Sequence, residues 1–556
     1  MEKAVIYQIF TRVCCNSGGQ NVTGGDISTN GSGKLNSFTP TVLDNIRAMG
    51  VTHIWFTGLI AHASCTSYRK FRIPESNPKT VKGCAGSPYA IRDYYDIDPD
   101  LAVSVPDRMT EFQALVDRVH AAGMKFIMDF VPNHVARQYH SVKKPRGVKD
   151  LGQDDDVSMH FSPQNNFYYM PGQKLGGEVD WGDYKEYPAR ATGNDQFTAT
   201  PSYSDWYETV KLNYGVDYTG GGRHCFDPIP DTWKKMLHIL LYWASKGVDA
   251  FRCDMAEMVP VDFWHWAVRQ VKQSHPEIQF IAEIYNPGSY SSYVDWGGFD
   301  YIYDKVGLYD TLRAVVESRE SATAITRCWQ QNGQGPNMLH FMENHDEQRI
   351  ASRFFGGNGQ KGRPAMIVSA LMDCCPVMVY AGQEVAEPGM DREGFSGLDG
   401  RTTIFDYWAP DTLTRLYNDG KWNDERLTAD ERELRQFYST LLGICKKENC
   451  IRNGKFFDLM YVNPQSSDFN PHRQYAFLRS DGNDAILVVT NFCDQPLYTA
   501  VNIPQHAFDY MELKEKDGVT AKELLSGQTF KAYIHPDTPI RMTVPAQSGI
   551  ILKWQK

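Results

Sequence analysis

A chain of 556 residues with 42% hydrophobic and 22% charged side chains has the balance of a folded protein and is too long for a single core, so two or three domains are expected. A net charge of −10 without a basic stripe or tail excludes nucleic acid as the expected partner. No apolar run reaches the ~20 residues of a membrane span; the best candidate, near 365–382, is broken by Asp373 and Pro376.

The twelve cysteines are scattered, with no CxxC pair or Cys/His cluster at zinc spacing, which predicts free thiols in a reducing compartment. The opening MEKAVIYQIF shows no signal-peptide pattern, so a cytoplasmic location and a monomer are the default expectations. The 13% aromatic content fits a large aromatic core, or rings that line a cleft and stack on sugars.

In chain order, short apolar runs predict strands at Val5–Phe10, His53–Thr57, Lys125–Phe130, Val248–Cys253, Gln279–Glu283, Phe299–Tyr303, Met338–Met342 and Val377–Ala381. Helical patterns fall between them, at Asp107–Ala122, Asp231–Lys246 and Val261–Ser274. In the second, Asp231 is placed to cap the start and Gly247 the end. Strand–helix alternation argues for parallel βα units. Eight of them fit a closed (β/α)8 TIM barrel better than an open doubly wound sheet.

Residues 135–222 interrupt this rhythm after the third strand. They are rich in Gly, Asp, Asn and aromatics and too long for a structureless loop, so an inserted domain is expected on the face where βα loops emerge. After about residue 446, alternating runs at Tyr475–Leu478, Ala485–Asn491, Leu497–Ile503, Ile540–Val544 and Ile550–Trp554 predict a C-terminal antiparallel β-sandwich domain. The expected division is thus a barrel over 1–134 and 223–445, an insert over 135–222 and a β domain over 446–556.

Acidic residues stand at the ends of four predicted strands, where functional groups of a barrel converge. Asp129 opens DFVPNH. Arg252 and Asp254 stand in FRCDMAEMV, two apart and therefore on one side of a strand. Glu283 closes FIAEIYN, and Glu343 to Asp346 follow in ENHD. Any one could be a structural ion pair; four on four strands are hard to attribute to chance. Converging carboxylates suit a metal cage or glycoside hydrolysis, which needs one acid to protonate the leaving oxygen and one carboxylate to attack or direct water. No HExxH or GxSxG motif occurs, and the GxGxxG at Gly357, Gly359 and Gly362 follows no strand and reads as a loop.

The four segments DFVPNH, GVDAFRCDMAEMV, AEIYN and ENHD resemble, in order and position, the signature regions of the α-amylase family (glycoside hydrolase family 13). The insert resembles its domain B and the C-terminal strands its domain C. GVTHIWFTGL, SPYAIRDYYDID and PVMVYAGQE fit as well, so the resemblance spans essentially the whole chain. It implies a retaining glycosidase of α-1,4 bonds in starch, glycogen or maltooligosaccharides. On the matching positions Asp254 is the nucleophile, Glu283 the acid and base, and Asp346 the third acid that holds substrate hydroxyls. Arg252 would keep Asp254 ionised. His134, His345 and Tyr89 would contact the sugar, and Asp129 would be largely structural. In the family a calcium ion can sit between barrel and insert, and Asn133 is in place to be one ligand, but Met258 replaces the His whose backbone oxygen that ion uses, which counts against the site. Glu257 and Met258 depart from the family's Lys-His at those places; Glu257 would stand on the acceptor side of the substrate. No organic cofactor is expected. A 4-α-glucanotransferase or an exo-acting α-glucosidase fits the same scaffold. An inactive glucan-binding barrel is a remote alternative, because all three acids are present.

Overall fold

The computed structural model describes residues 3–331, 335–389, 398–536 and 538–556. Eight parallel strands close into a barrel in sequential order: β1 (Val5–Phe10), β2 (His53–Thr57), β3 (Lys125–Phe130), β4 (Ala250–Cys253), β5 (Gln279–Ala282), β6 (Tyr301–Tyr303), β7 (Met338–Phe341) and β8 (Val377–Tyr380). Their bounds differ from those read in the sequence by no more than two residues at either end, as ends that fray do. The strands read as near-continuous apolar runs because both faces are buried. Ile6, Ile127, Ile281, Leu339 and Met378 fill the barrel interior, while the alternate residues Val5, Tyr7 and Ile9 join the main core.

Helices cover the barrel at Arg108–Ala121, Asp231–Ala244 and Val261–Ser274, among others. Asp231 is not the cap of its helix. Pro230 takes that place, and Asp231 is the first helical residue, where its charge suits the helix dipole. Its carboxylate accepts from Asn166 Nδ2 at 3.0 Å and lies 2.9 Å from Lys235 Nζ. Gly247 does turn the chain just beyond the helix, with φ at 89°.

Register decides what the strand ends bring together. Arg252 pairs with Asp129 across β3 and β4, and Cys253 pairs with Ala282 across β4 and β5. One step further along the same register, Asp254 stands beside Glu283, and the Glu283 amide donates to Cys253 O at 3.1 Å.

Between β3 and β4 the chain forms three short antiparallel pairs: His134–Ala136 with Thr209–Lys211, Tyr169–Met170 with Ala189–Arg190, and Val216–Asp217 with Arg223–His224. Tyr168, Met170, Leu175, Val179 and Trp181 make a small apolar cluster of its own there. At the C-terminus a six-stranded antiparallel sheet runs in the order Lys455–Asp458, Gln474–Ser480, Asp484–Asn491, Ser548–Gln555, Lys516–Glu523, Thr529–Ile534. A two-stranded ribbon, Leu497–Val501 with Ile540–Val544, accompanies it. Among the described residues no helix is long and apolar enough to cross a membrane.

Candidate active site

Arg252 is the hub of the site and is fully buried. Its Nη1 lies 2.8 Å from Asp254 Oδ1 and 3.5 Å from Asp129 Oδ1, and its Nη2 lies 2.7 Å from Glu283 Oε2. Its Nε donates to Tyr303 Oη at 3.1 Å, and the rings of Trp55, Tyr89 and Tyr303 surround the guanidinium at 5.2 to 5.5 Å. Burial opposes its charge, but Glu283, the tyrosines and Asp254 outweigh burial and keep it protonated.

Each acid is held differently. Asp254 accepts from Arg252 through Oδ1, while its buried Oδ2 has no hydrogen-bond partner. Glu283 is fully engaged: Oε1 accepts from Tyr285 Oη at 2.6 Å and Oε2 from the Met255 amide at 2.8 Å. Asp346 Oδ2 lies 3.1 Å from His345 Nε2. Asp129 accepts from Trp55 Nε1 at 3.1 Å and from the Gly58 amide at 3.4 Å.

Burial and the charge of Glu283 push Asp254 well above the usual carboxylate range, against the pull of Arg252. Arg252 does pull Asp254 toward its ionised form, as expected, but desolvation is the larger effect. Burial, then Glu283, raises Asp346 to about 7. Burial raises Asp129 to about 6, with Arg252 pulling the other way. One guanidinium among four acids does not neutralise them, so the cluster retains a proton near neutral pH and titrates as a set.

The histidines are neutral. Burial, then the charges of Lys211 and Lys82, lowers His134 to about 3. Burial and Arg252 lower His345 well below its usual value. His345 Nδ1 is 2.8 Å from Gln8 Nε2, and its Nε2 bonds to Tyr89 Oη, so Tyr89, His345 and Asp346 form one connected group.

A cleft of about 360 Å³ opens over the acids. Tyr89, His134, Asp254, Glu283 and Asp346 line it, as does a set the sequence reading missed: Lys82, Trp206, Glu208, Tyr285, Ile404 and Phe405. The Trp206 ring stands 5.3 Å from that of His134, and Lys82 Nζ pairs with Glu208 Oε2 at 3.1 Å. Tyr285 could have been found from its i+2 spacing to Glu283, and Trp206 from the aromatic run YSDWY. Asp129, Arg252 and His345 are not among the lining residues and support them from below.

Met255, directly after Asp254, has φ at 42°, a left-handed conformation that costs an unbranched side chain ~1–2 kcal/mol. It is held there by its bond to Glu283 and by the Ala256 amide donating to Glu283 O at 3.1 Å. Glu257 does not line the cleft. Its two carboxylate oxygens accept the amides of Tyr285 and Asn286, both at 3.1 Å, and so fix the loop that carries Glu283.

Asn133 Oδ1 accepts from the ammonium of Lys211, and its Nδ2 donates to Gly193 O at 2.8 Å. At the opposite end of the barrel, ligand atoms of His340, Asp373 and Cys375 lie within 4.8 Å of one another. Burial would lower His340, but Asp373, Cys375 and Asp304 raise it well above its usual value. Its Nε2 lies 3.4 Å from Asp304 Oδ2 and 3.6 Å from Asp373 Oδ2, an ion-paired arrangement.

The family model for the α-amylase catalytic domain matches residues 8–441, and that for the α-amylase C-terminal all-β domain matches residues 465–555. An α-amylase of Streptomyces lividans is 22% identical over 92% of this chain and 55% of its own length. A cyclomaltodextrinase of a Bacillus species is 22% identical over 81% of this chain and 64% of its own. The chain thus spans a little over half to under two thirds of the length of these relatives. Among solved structures, a maltogenic α-amylase from Thermotoga neapolitana superposes with a TM-score of 0.64 at 20% identity, covering 100% of this chain and 99% of that one. With both family models matched across nearly its whole length, the chain belongs to the α-amylase family.

Proposed function

We propose that the chain cleaves α-1,4-glucosidic bonds of starch, glycogen or maltooligosaccharides with retention of configuration. The observation that carries this reading is the asymmetry of Asp254, a residue that lines the cleft: one carboxylate oxygen is held by Arg252, and the other is buried without a hydrogen-bond partner. That is the arrangement a nucleophile needs.

In the proposed reaction Asp254 Oδ2 attacks the anomeric carbon as the bond to the leaving oxygen breaks. Glu283 delivers a proton to that oxygen, so the leaving sugar departs with a free hydroxyl. Glu283 then takes a proton from water, whose oxygen displaces Asp254 from the anomeric carbon. Asp346, tied to His345 and Tyr89, would hold sugar hydroxyls during ring distortion. A retaining pair calls for carboxyl groups ~5–5.5 Å apart. His134, Tyr89 and Trp206 supply the apolar and hydrogen-bonding walls of the sugar subsite, and Glu257 acts through the loop it pins. Trp206, Glu208 and Thr209 of the insert over 135–222 close one side of the cleft.

Proton NMR of the first product tests retention: the α anomer is expected, and an initial β anomer would overturn the mechanism. Product analysis on starch, maltooligosaccharides, pullulan and trehalose tests the substrate. Short soluble oligosaccharides from starch are expected; longer products from maltooligosaccharides would assign a glucanotransferase, and glucose alone an exo-glucosidase.

A further inference from the structure

Three segments far apart in sequence bring oxygens to one point beside the site. Asn133 follows β3, Asp195 lies in a tight turn of the insert, and Met258 follows the Asp254 loop. Asn133 Oδ1, Asp195 Oδ1 and Met258 O are the kind of donor set that would hold a hard cation between barrel and insert. All three face a group of the chain itself. Lys211 Nζ lies 2.7 Å from Asp195 Oδ1, donates to Met258 O at 3.1 Å and donates to Asn133 Oδ1. Two neutral oxygens accept from the ammonium and the Asp195 carboxylate pairs with its charge.

We infer that the Lys211 ammonium stands in the place of a divalent cation, so that the joint between barrel and insert is built without metal. The donor set does not fit calcium as it stands. Calcium takes 6–8 oxygens at about 2.3–2.6 Å, and here the oxygens close around a positive charge that a second cation would meet at contact distance.

The site is built rather than incidental. The Lys211 side chain is 1% exposed and its charge also faces the Tyr218 ring at 5.6 Å. Asp195 holds φ at 61°, a left-handed conformation in the Thr192–Gln196 turn. That turn reaches Asn133 because Gly193 has no side chain: a Cβ there would stand 2.5 Å from Thr209 Oγ1 and 2.9 Å from His134 Cβ. Lys211 lies directly opposite His134 in the strand pair, so the ammonium fixes the histidine of the cleft on one side and the Asp254–Met258 segment on the other. Its charge adds to burial in keeping His134 neutral. The inference concerns assembly of the site and stands whichever glucan is the substrate.

The test is metal content and thermal melting of the full chain and its variants. Wild type purified with calcium present and then dialysed should hold no stoichiometric calcium, and EDTA or millimolar calcium should move its Tm by less than about 1 °C. Lys211→Ala should melt about 5 °C or more lower, and calcium should restore part of that loss by entering the vacated oxygen cage. Lys211→Met, which fills the space with an apolar stem, should be destabilised and gain nothing from calcium. One calcium per wild-type chain that Asp195→Asn loses would overturn the proposal. So would a Lys211→Ala protein as stable as wild type, or one that calcium stabilises no more than Lys211→Met. The wild-type measurement decides the matter even if neither variant folds.

Discussion

Two buried cations stand at the mouth of the barrel, and they are matched to their surroundings in opposite ways. Arg252 faces the carboxyl groups of Asp129, Asp254 and Glu283 directly, with Asp346 close enough to raise Asp254. Lys211 faces one carboxylate and two neutral oxygens. Around Arg252 negative charge is in excess, so desolvation pushes Asp129, Asp254 and Asp346 up and the cluster keeps a proton. Around Lys211 one carboxylate faces one ammonium; burial lowers the lysine while Asp195 holds its charge, and the group serves as a tie. The excess is what a site needs for acid–base work, and the balance is what a joint needs.

Removing an acid from the excess should therefore affect turnover far more than stability. Asp254→Ala is expected to lower kcat by about 10⁴-fold or more while leaving Tm near wild type, because it removes the attacking atom but little apolar contact. Activity within tenfold of wild type would end the assignment. Glu283→Gln should cost about 10³-fold on glucans and much less on aryl glycosides whose leaving group needs no proton. Equal losses on both substrates would show that Glu283 is not the acid. Lys211→Ala should show the opposite balance, with its main effect on Tm. A smaller effect is expected at the cleft wall: Trp206→Ala should raise KM about tenfold with kcat little changed, as loss of a stacking surface does.

How far this contrast was legible in the sequence differs between its halves. The barrel strands were readable because burial on both faces leaves uninterrupted apolar runs such as VIYQIF and HIWFT. The acids were readable because they fall at the ends of those runs. The tie was not readable. TVK looks like an ordinary strand end, a lysine there is normally solvated, and its burial is set by residues 133, 195 and 258, which no local pattern connects. The same limit hid two C-terminal strands. Lys516–Glu523 and Thr529–Ile534 are largely exposed, carry lysines among their β-formers and show no apolar run. Lys455–Asp458 is a short edge strand, also without a buried face. Asp231 was misplaced by one residue because Pro230 fixes the turn that a side chain was expected to cap.

The finest test of the excess is its dependence on pH, and Asp346 is the group to use. Its folded value near 7 stands above the ordinary aspartate value of 3.8, because burial and Glu283 disfavour its charge. A carboxyl raised by folding contributes stability that is fully present below its unfolded value and is lost as pH rises through its folded value. Wild type should therefore lose this contribution as pH climbs from about 4 through about 7. Asp346→Asn has nothing to ionise and should not lose it. Asp129 and Glu343, raised to about 6 and about 7, move in the same sense in both proteins and largely cancel in the difference, whereas Asp254, which the charge of Asp346 raises, is relieved in the variant and adds to it. The variant should melt close to wild type near pH 4 and roughly 2–4 °C higher at pH 8, on the order of 1–2 kcal/mol once solvent screening of a carboxylate that is partly exposed is allowed for. Its turnover should fall at every pH. A gap in Tm that stays constant with pH would mean that Asp346 ionises freely and that Arg252 suffices to neutralise its neighbours, which would remove the distinction between the two cations.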